Sequence, residues 1–121
     1  MNRNRQRRVS EELKKVITQI MREKIKDPRL SPMAGVSDVE VTRDFRYAKV
    51  YISVYDTDSK RESTIEALSH AAGYIRSELN HFIKLRRIPE LTFFLDKGIE
   101  YSAKIAKILN ETGIANHEED H

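Results

Sequence analysis

Apolar positions along the chain change their period several times, and each change marks an element. Leu13, Val16, Ile17, Ile20, Met21 and Ile25 recur at three- and four-residue steps, the signature of an amphipathic helix. Ser10 stands where an N-cap belongs, and Glu11 and Glu12 follow it in a first turn that favours negative charge. Asp27-Pro28 ends the helix, because the residue before proline avoids helical backbone, and Arg29 to Pro32 is expected as an ordered turn. Val39 and Val41 then alternate with polar neighbours. After Arg43-Asp44-Phe45-Arg46, a second alternating run puts Ala48, Val50, Ile52 and Val54 on one face and Tyr47, Lys49, Tyr51, Ser53 and Tyr55 on the other. The two runs predict an antiparallel hairpin with one buried aliphatic face.

Beyond a turn of capping residues at Asp56 to Ser59, Ile65, Leu68 and Ala72 resume a helical period, and Ile75, Leu79, Phe82 and Ile83 continue it past Ala71-Ala72-Gly73. A glycine inside a helix costs about 1 kcal/mol relative to alanine, so either the helix bends at Gly73 or two helices meet there. The small residues of this joint allow another backbone, protein or nucleic acid, to come close. Arg86-Arg87-Ile88-Pro89-Glu90 leads into a third strand, Leu91 to Leu95. A last helix is expected from about Ile99, using Ala103, Ile105, Ala106, Ile108 and Leu109 and stopping near Thr112-Gly113. The predicted order is α-β-β-α-(joint)-α-β-α, with no internal repeat, which is a single α+β layer domain.

The chain has 121 residues, enough for one domain with one modest core. It has no apolar run of membrane-spanning length, and no apolar stretch follows the arginines at its start, so neither a membrane span nor a secretory signal is expected. The absence of cysteine excludes disulfides and thiolate metal sites and agrees with a cytoplasmic location. The formal net charge is only +3, but it is segregated. Residues 1–30 hold ten bases against four acids, while Glu111 to His121 holds four acids and no Lys or Arg. Such segregation suits a polyanion binder whose tail is kept off the site, and equally a solvated helix face with a solubilising tail. The expected organisation is a flexible basic lead at 1–7, a folded domain at 8–110 and an acidic, disordered tail at 111–121.

Little in the sequence points to catalysis or to a cofactor. His117-Glu118-Glu119-Asp120-His121 matches the H-E-x-x-H pattern of zinc proteases, but it lies past the helix-ending Gly113 in an acidic run and is rejected as a metal site. His70 and His81 are read as exposed or capping residues. No phosphate loop and no nucleophile elbow is present, and the four glycines are scattered. The basic residues offer more. Arg8, Lys15, Arg22 and Lys26 share one angular sector of the first helix; Arg76 and Lys84 share a side of the helix after the joint, with Arg86 and Arg87 just beyond; Arg43, Arg46 and Lys49 cluster at the hairpin. Rows of cations suit phosphates, with affinity supplied by counterion release. The competing account is surface ion pairing with Glu12, Glu78 and Asp44, each pair worth little. A protein-binding adaptor for an acidic partner and a small hydrolase of phosphorylated substrates are the rival functions. Tyr47, Tyr51 and Phe94 fall on strand faces opposite the aliphatic one; Phe94 is expected in the core, and the tyrosines are open between core packing and base stacking.

Taken together, Arg7-Arg8-Val9, Lys26-Asp27-Pro28-Arg29-Leu30, Arg43-Asp44 with Tyr47-Ala48-Lys49-Val50-Tyr51, Ala71-Ala72-Gly73-Tyr74-Ile75-Arg76 and Arg87-Ile88-Pro89-Glu90-Leu91-Thr92-Phe93-Phe94 resemble the ribosome-binding factor A family. The five motifs occur in order, and the match runs from about Arg7 to Leu109. The resemblance implies a type II KH-like fold with a three-stranded sheet and a C-terminal helix, in which an A-x-G kink, here Ala71-Ala72-Gly73, replaces the usual G-x-x-G loop. It also implies a bacterial assembly factor without cofactor that binds the free small (30S) ribosomal subunit or its precursor. Such a factor assists late processing of 16S rRNA, supports growth in the cold, and leaves with the help of assembly GTPases before translation starts. On this reading Arg8, Arg43, Arg46, Lys49, Arg76, Lys84, Arg86 and Arg87 are the candidate RNA contacts, and Gly73 admits a close backbone. The short hairpin edge and high charge favour a monomer. The family's C-terminal extension varies in length and charge, and here it is short and acidic.

Overall fold

The computed structural model describes residues 2–96, so the predicted last helix, the acidic tail and its H-E-x-x-H run lie outside the described residues. Six elements follow in order: α1 (Asn2–Glu23), β1 (Ala34–Val41), β2 (Tyr47–Val54), α2 (Asp58–His70), α3 (Ala72–Phe82) and β3 (Glu90–Leu95). The strands form one sheet in the order β1-β2-β3, with β1–β2 antiparallel and β2–β3 parallel. This is the α-β-β-α-kink-α-β arrangement of a type II KH-like domain. The helices cover one face of the sheet. Leu13, Ile17 and Ile20 of α1 meet Val50 and Ile52 of the central strand, with Leu68, Ile75 and Leu79 of α2 and α3, and all eight are fully buried. Burying a side chain of this size stabilises the fold by about 1.5–3 kcal/mol, so this ridge holds the two layers together.

Helix α1 begins at Asn2, eight residues before the predicted Ser10 cap, so positions 2–7, expected as a flexible lead, are helical. The reason is a competing use for Ser10. Its Oγ accepts from the Val41 N–H at 3.3 Å, one turn along from Gln6, whose Nε2 donates to the Val41 carbonyl at 2.9 Å. Both backbone groups of the last β1 residue are thus satisfied by α1, and the arginine-rich stretch before Ser10 contains no helix breaker. Lys26, grouped by its spacing with the α1 stripe, lies beyond the helix end.

The β1–β2 register pairs Val39 with Val50 and Val41 with Ala48, and it shifts between Val36 and Asp38. In the connection, Asp44 Oδ1 accepts from the Thr42 hydroxyl at 2.8 Å and the Arg46 N–H at 3.1 Å. Phe45 N–H donates to the Thr42 carbonyl at 2.9 Å. This tight loop sets Phe45 at φ +60°, left-handed backbone that costs a bulky residue about 1–3 kcal/mol. On the far side of β2, Thr57 caps α2 by accepting from the Lys60 N–H. The break between α2 and α3 falls at Ala71 (φ −89°, ψ 2°), two residues before the expected Gly73, which is the second residue of α3.

The turn after α1 is knitted to α2. Arg29 binds the Asp27 carboxylate through both Nε and Nη2, and its guanidinium also reaches His70 Nδ1 at 3.2 Å and Glu66 at 3.6 Å. The Arg29 carbonyl accepts from Ser63 Oγ, the buried Thr64 Oγ1 accepts from the Ser31 N–H, and Lys60 Nζ donates to the Pro28 carbonyl. Hydrogen bonds from the Arg29 side chain and then its backbone N–H hold the Asp27 carboxyl at about 2, against an ordinary 3.8. A depressed carboxyl stabilises the fold above its unfolded value and loses that contribution as pH falls towards the folded one. Thermal unfolding of the protein and of Asp27→Asn should therefore differ most above pH about 4 and converge as pH approaches about 2; a gap that persists at pH 2 would contradict the role of this carboxylate.

Candidate nucleic-acid interface

Parallel pairing decides which cations meet. Because β2 and β3 run in the same direction, with Tyr47 opposite Glu90, the loop entering β2 and the loop entering β3 lie at the same end of the sheet. The Glu90 N–H donates to the Arg46 carbonyl at 2.8 Å and fastens the two loops together. Arg46 from the hairpin loop and Arg86 and Arg87 from the α3–β3 loop consequently line one cavity of about 400 Å³ beside the first turns of α1. Arg43 is exposed in the same hairpin loop. The two loops' arginines stand 40 or more positions apart in sequence, and the fold gathers them.

The other candidates are distributed differently. Arg76 is exposed on α3, but its guanidinium donates through Nε to the Pro89 carbonyl at 3.0 Å and through Nη2 to the Ile88 carbonyl at 2.8 Å. It clamps the loop that carries Arg86 and Arg87, so its first role is to position that loop. Lys84 is exposed just past the end of α3. Between the joint and the same loop runs a shallow groove of about 340 Å³ lined by Gly73, Arg76, Ser77, Asn80 and Ile88. A Cβ placed on Gly73 would meet nothing within 4 Å, so packing within the fold does not require glycine there. Arg8, Lys15 and Arg22 are exposed on α1, on the side away from the Leu13–Ile17–Ile20 ridge, and they stand apart from the cavity.

Lys49 is not brought to this end. It lies on the uncovered face of the sheet, opposite Glu40 on β1 and Thr92 on β3. That face carries Tyr47, Tyr51 and Phe94, with Asp38, Glu40 and Glu90 exposed around them. Phe94, expected in the core, is 41% exposed, and its ring lies 5.8 Å from that of Tyr51. It has only the open side of the sheet to face, since Phe93 takes the buried position. Desolvation first, and then the charge of Glu40, push the Tyr51 phenol upward. Carboxylates around the aromatic pair make this face a poor one for phosphate.

Among the described residues the ion pairs are Arg29 with Asp27 and Glu66, and Arg61 with Asp58; none engages the eight candidate cations. The Asp44 carboxyl is lowered by the Thr42 hydroxyl and the Arg46 N–H, with the Arg46 guanidinium adding a smaller effect. Sequence spacing missed two residues at the cavity, Arg5 and Phe45. Arg5 was lost among the arginines of the expected flexible lead. The signal for Phe45 was an aromatic residue placed in a polar turn. Among the described residues no group of three or more His, Asp or Glu could hold a metal, and no helix is long and apolar enough to cross a membrane.

The Arg76 clamp predicts that Arg76→Ala speeds amide hydrogen exchange across residues 84–89 and lowers global stability by about 1 kcal/mol, the net worth of exposed charge-assisted hydrogen bonds. Exchange that stays unchanged in this loop would show that Arg76 does not hold it.

Comparison with known proteins agrees with this architecture. The family model for ribosome-binding factor A matches residues 5–109. A ribosome-binding factor A of Caldanaerobacter subterraneus subsp. tengcongensis is 52% identical over 107 residues, covering 88% of each chain. The solution structure of a candidate ribosome binding factor A from Thermotoga maritima superposes with a TM-score of 0.69 at 35% identity, covering 79% of this chain and 91% of that one. A Thermus thermophilus ribosome binding factor A homology model, fitted into a cryo-electron microscopy map of a 30S complex, gives a TM-score of 0.60 at 26% identity over 70% of this chain and 88% of that one. A family model covering most of the chain, a relative sharing half its residues and the same fold leave one assignment: the chain belongs to the ribosome-binding factor A family.

Proposed function

We propose that this protein is a cytoplasmic assembly factor that binds the free small ribosomal subunit or its precursor and assists late maturation and processing of 16S rRNA, by binding and not by catalysis. The observation that carries the reading is the convergence of Arg46, Arg86 and Arg87 at one end of the sheet, in a chain of this family. The fitting of a structural neighbour into the map of a 30S complex supports the choice of partner.

Arginines on two fastened loops form a rigid positive corner, and phosphates along an RNA strand match it by bidentate hydrogen bonds and counterion release. Arg43 and Lys84 widen the corner, and Arg8, Lys15 and Arg22 offer a second row along α1. The open side of Gly73 admits an RNA backbone to the groove beside Arg76, where a side chain would stand in the way. Work is done by differential affinity: a factor that binds the immature rRNA conformer better shifts the equilibrium towards it by that difference alone. The factor acts as a monomer and leaves when maturation, aided by assembly GTPases, removes the conformer it prefers. Cold growth depends on it because rRNA escapes wrong pairings more slowly at low temperature.

In sucrose-gradient fractionation the protein should comigrate with free small subunits and not with whole ribosomes. Reversing two charges, Arg86→Glu with Arg87→Glu, should move it to the top of the gradient at moderate salt. Replacing the same pair by alanine should flatten the dependence of log affinity on log salt by about 1.4, two single-strand phosphate contacts at about 0.7 each. Comigration that survives the double reversal would remove this corner from the interface.

A further inference from the structure

The cavity at the arginine corner has a floor as well as a rim. Phe45, half-buried and held at φ +60°, forms the floor with Val9 of α1 and Leu85 of the α3–β3 loop. The turn itself has no need of an aromatic ring, because left-handed backbone favours glycine or asparagine. Phe45 nevertheless occupies it: with Val9 and Leu85 the ring packs partly against the core, and the Arg5 guanidinium lies over it at 5.1 Å from its centroid. Above this floor stand Arg46, Arg86 and Arg87, with Asp44 as the one carboxylate in the lining. A volume of about 400 Å³ lies within the range of about 300–1,000 Å³ typical of small-ligand pockets.

From this geometry we infer that the cavity takes one unpaired nucleotide of the bound RNA: the base lies on the Phe45 floor between Val9 and Leu85, and its phosphate is held by Arg86 and Arg87. An apolar aromatic floor beneath an arginine rim is what recognition of a splayed-out base requires, whereas a duplex keeps its bases stacked and offers only phosphates. The incoming base takes the place of the Arg5 guanidinium on the ring. Arg5 is exposed, so it swings aside at little cost and joins the phosphate side, leaving four arginines against Asp44. The hairpin loop is suited to this because its Thr42 and Asp44 hydrogen bonds and its tie to Glu90 fix Phe45 before RNA arrives.

The inference rests on the proposed RNA-binding function, and it can fail separately. The full chain is titrated by fluorescence anisotropy with a short unstructured single-stranded RNA and with the same strand annealed to its complement. Phe45→Asn keeps a residue that tolerates the left-handed backbone and removes the ring; it should weaken single-strand binding about tenfold, the scale of one lost base stack, with duplex binding and the salt slope unchanged. Thermal unfolding reports whether the variant is folded. Independently of any variant, amide resonances of residues 44–46 and 85–87 in the unaltered protein should shift with the single strand and far less with the duplex. Equal affinity for both RNA forms, shifts confined to other surfaces, or a folded Phe45→Asn protein that binds the single strand undiminished would each overturn the nucleotide pocket while leaving the arginine corner intact. Failure of the unaltered protein to bind either RNA or the small subunit would instead overturn the RNA-binding reading itself.

Discussion

Parallel pairing of β2 with β3 is the constraint from which the rest of the surface follows. Adjacent parallel strands cannot be joined by a tight turn, so the chain must cross over between them, here through α2, the break at Ala71, and α3. The crossover puts both helices over the aliphatic face of the sheet and returns the chain to the end at which β2 began. There the hairpin loop and the α3–β3 loop meet, joined by the hydrogen bond from Glu90 to Arg46 and steadied by Arg76 from α3. A sheet with β3 antiparallel would have carried Arg86 and Arg87 to the opposite end, far from Arg46.

Local order was legible in the sequence wherever period and chemistry agreed. The alternation from Tyr47 to Tyr55 marked β2, the three- and four-residue spacing of Leu13 to Met21 marked the buried side of α1, and the small residues marked the joint. What could not be read depended on contacts distant along the chain. Ser10 has the chemistry of a cap, but Val41, 31 residues away, claims its hydroxyl. Phe94 has the chemistry of a core residue, but alternation along β3 gives the buried position to Phe93, and Phe94 meets Tyr51 on the open face. Lys49 is near Arg46 in sequence, but strand alternation turns it to the face that the loops leave behind.

The arginines illustrate the same limit most sharply, because identical side chains perform unlike tasks. Arg29 is committed to Asp27 and to the surface of α2, Arg61 pairs with Asp58 and bonds the Asp56 carbonyl, and Arg76 ties down a loop. Arg46, Arg86 and Arg87 face a cavity instead. A guanidinium presents five donors in a fixed fork, which suits backbone carbonyls, carboxylates and phosphates alike, so composition alone cannot assign it. Only the acceptors that surround it in the fold divide scaffold from interface.

The uncovered side of the sheet gives the domain a direction. Asp38, Glu40 and Glu90 outnumber Lys49 on it, whereas Arg8, Lys15 and Arg22 outnumber Glu11 and Glu12 on the exposed side of the helix layered against the other face. Charges so separated make an electric dipole across the thickness of the protein. In the field of a polyanion such a dipole feels a torque as well as an attraction, and both reach about a Debye length, 8 Å in physiological salt, ahead of contact. On the proposed RNA-binding reading, that torque would turn the protein before contact, with α1 leading and the tyrosine-bearing sheet trailing, and would shorten the search over orientations that slows most docking.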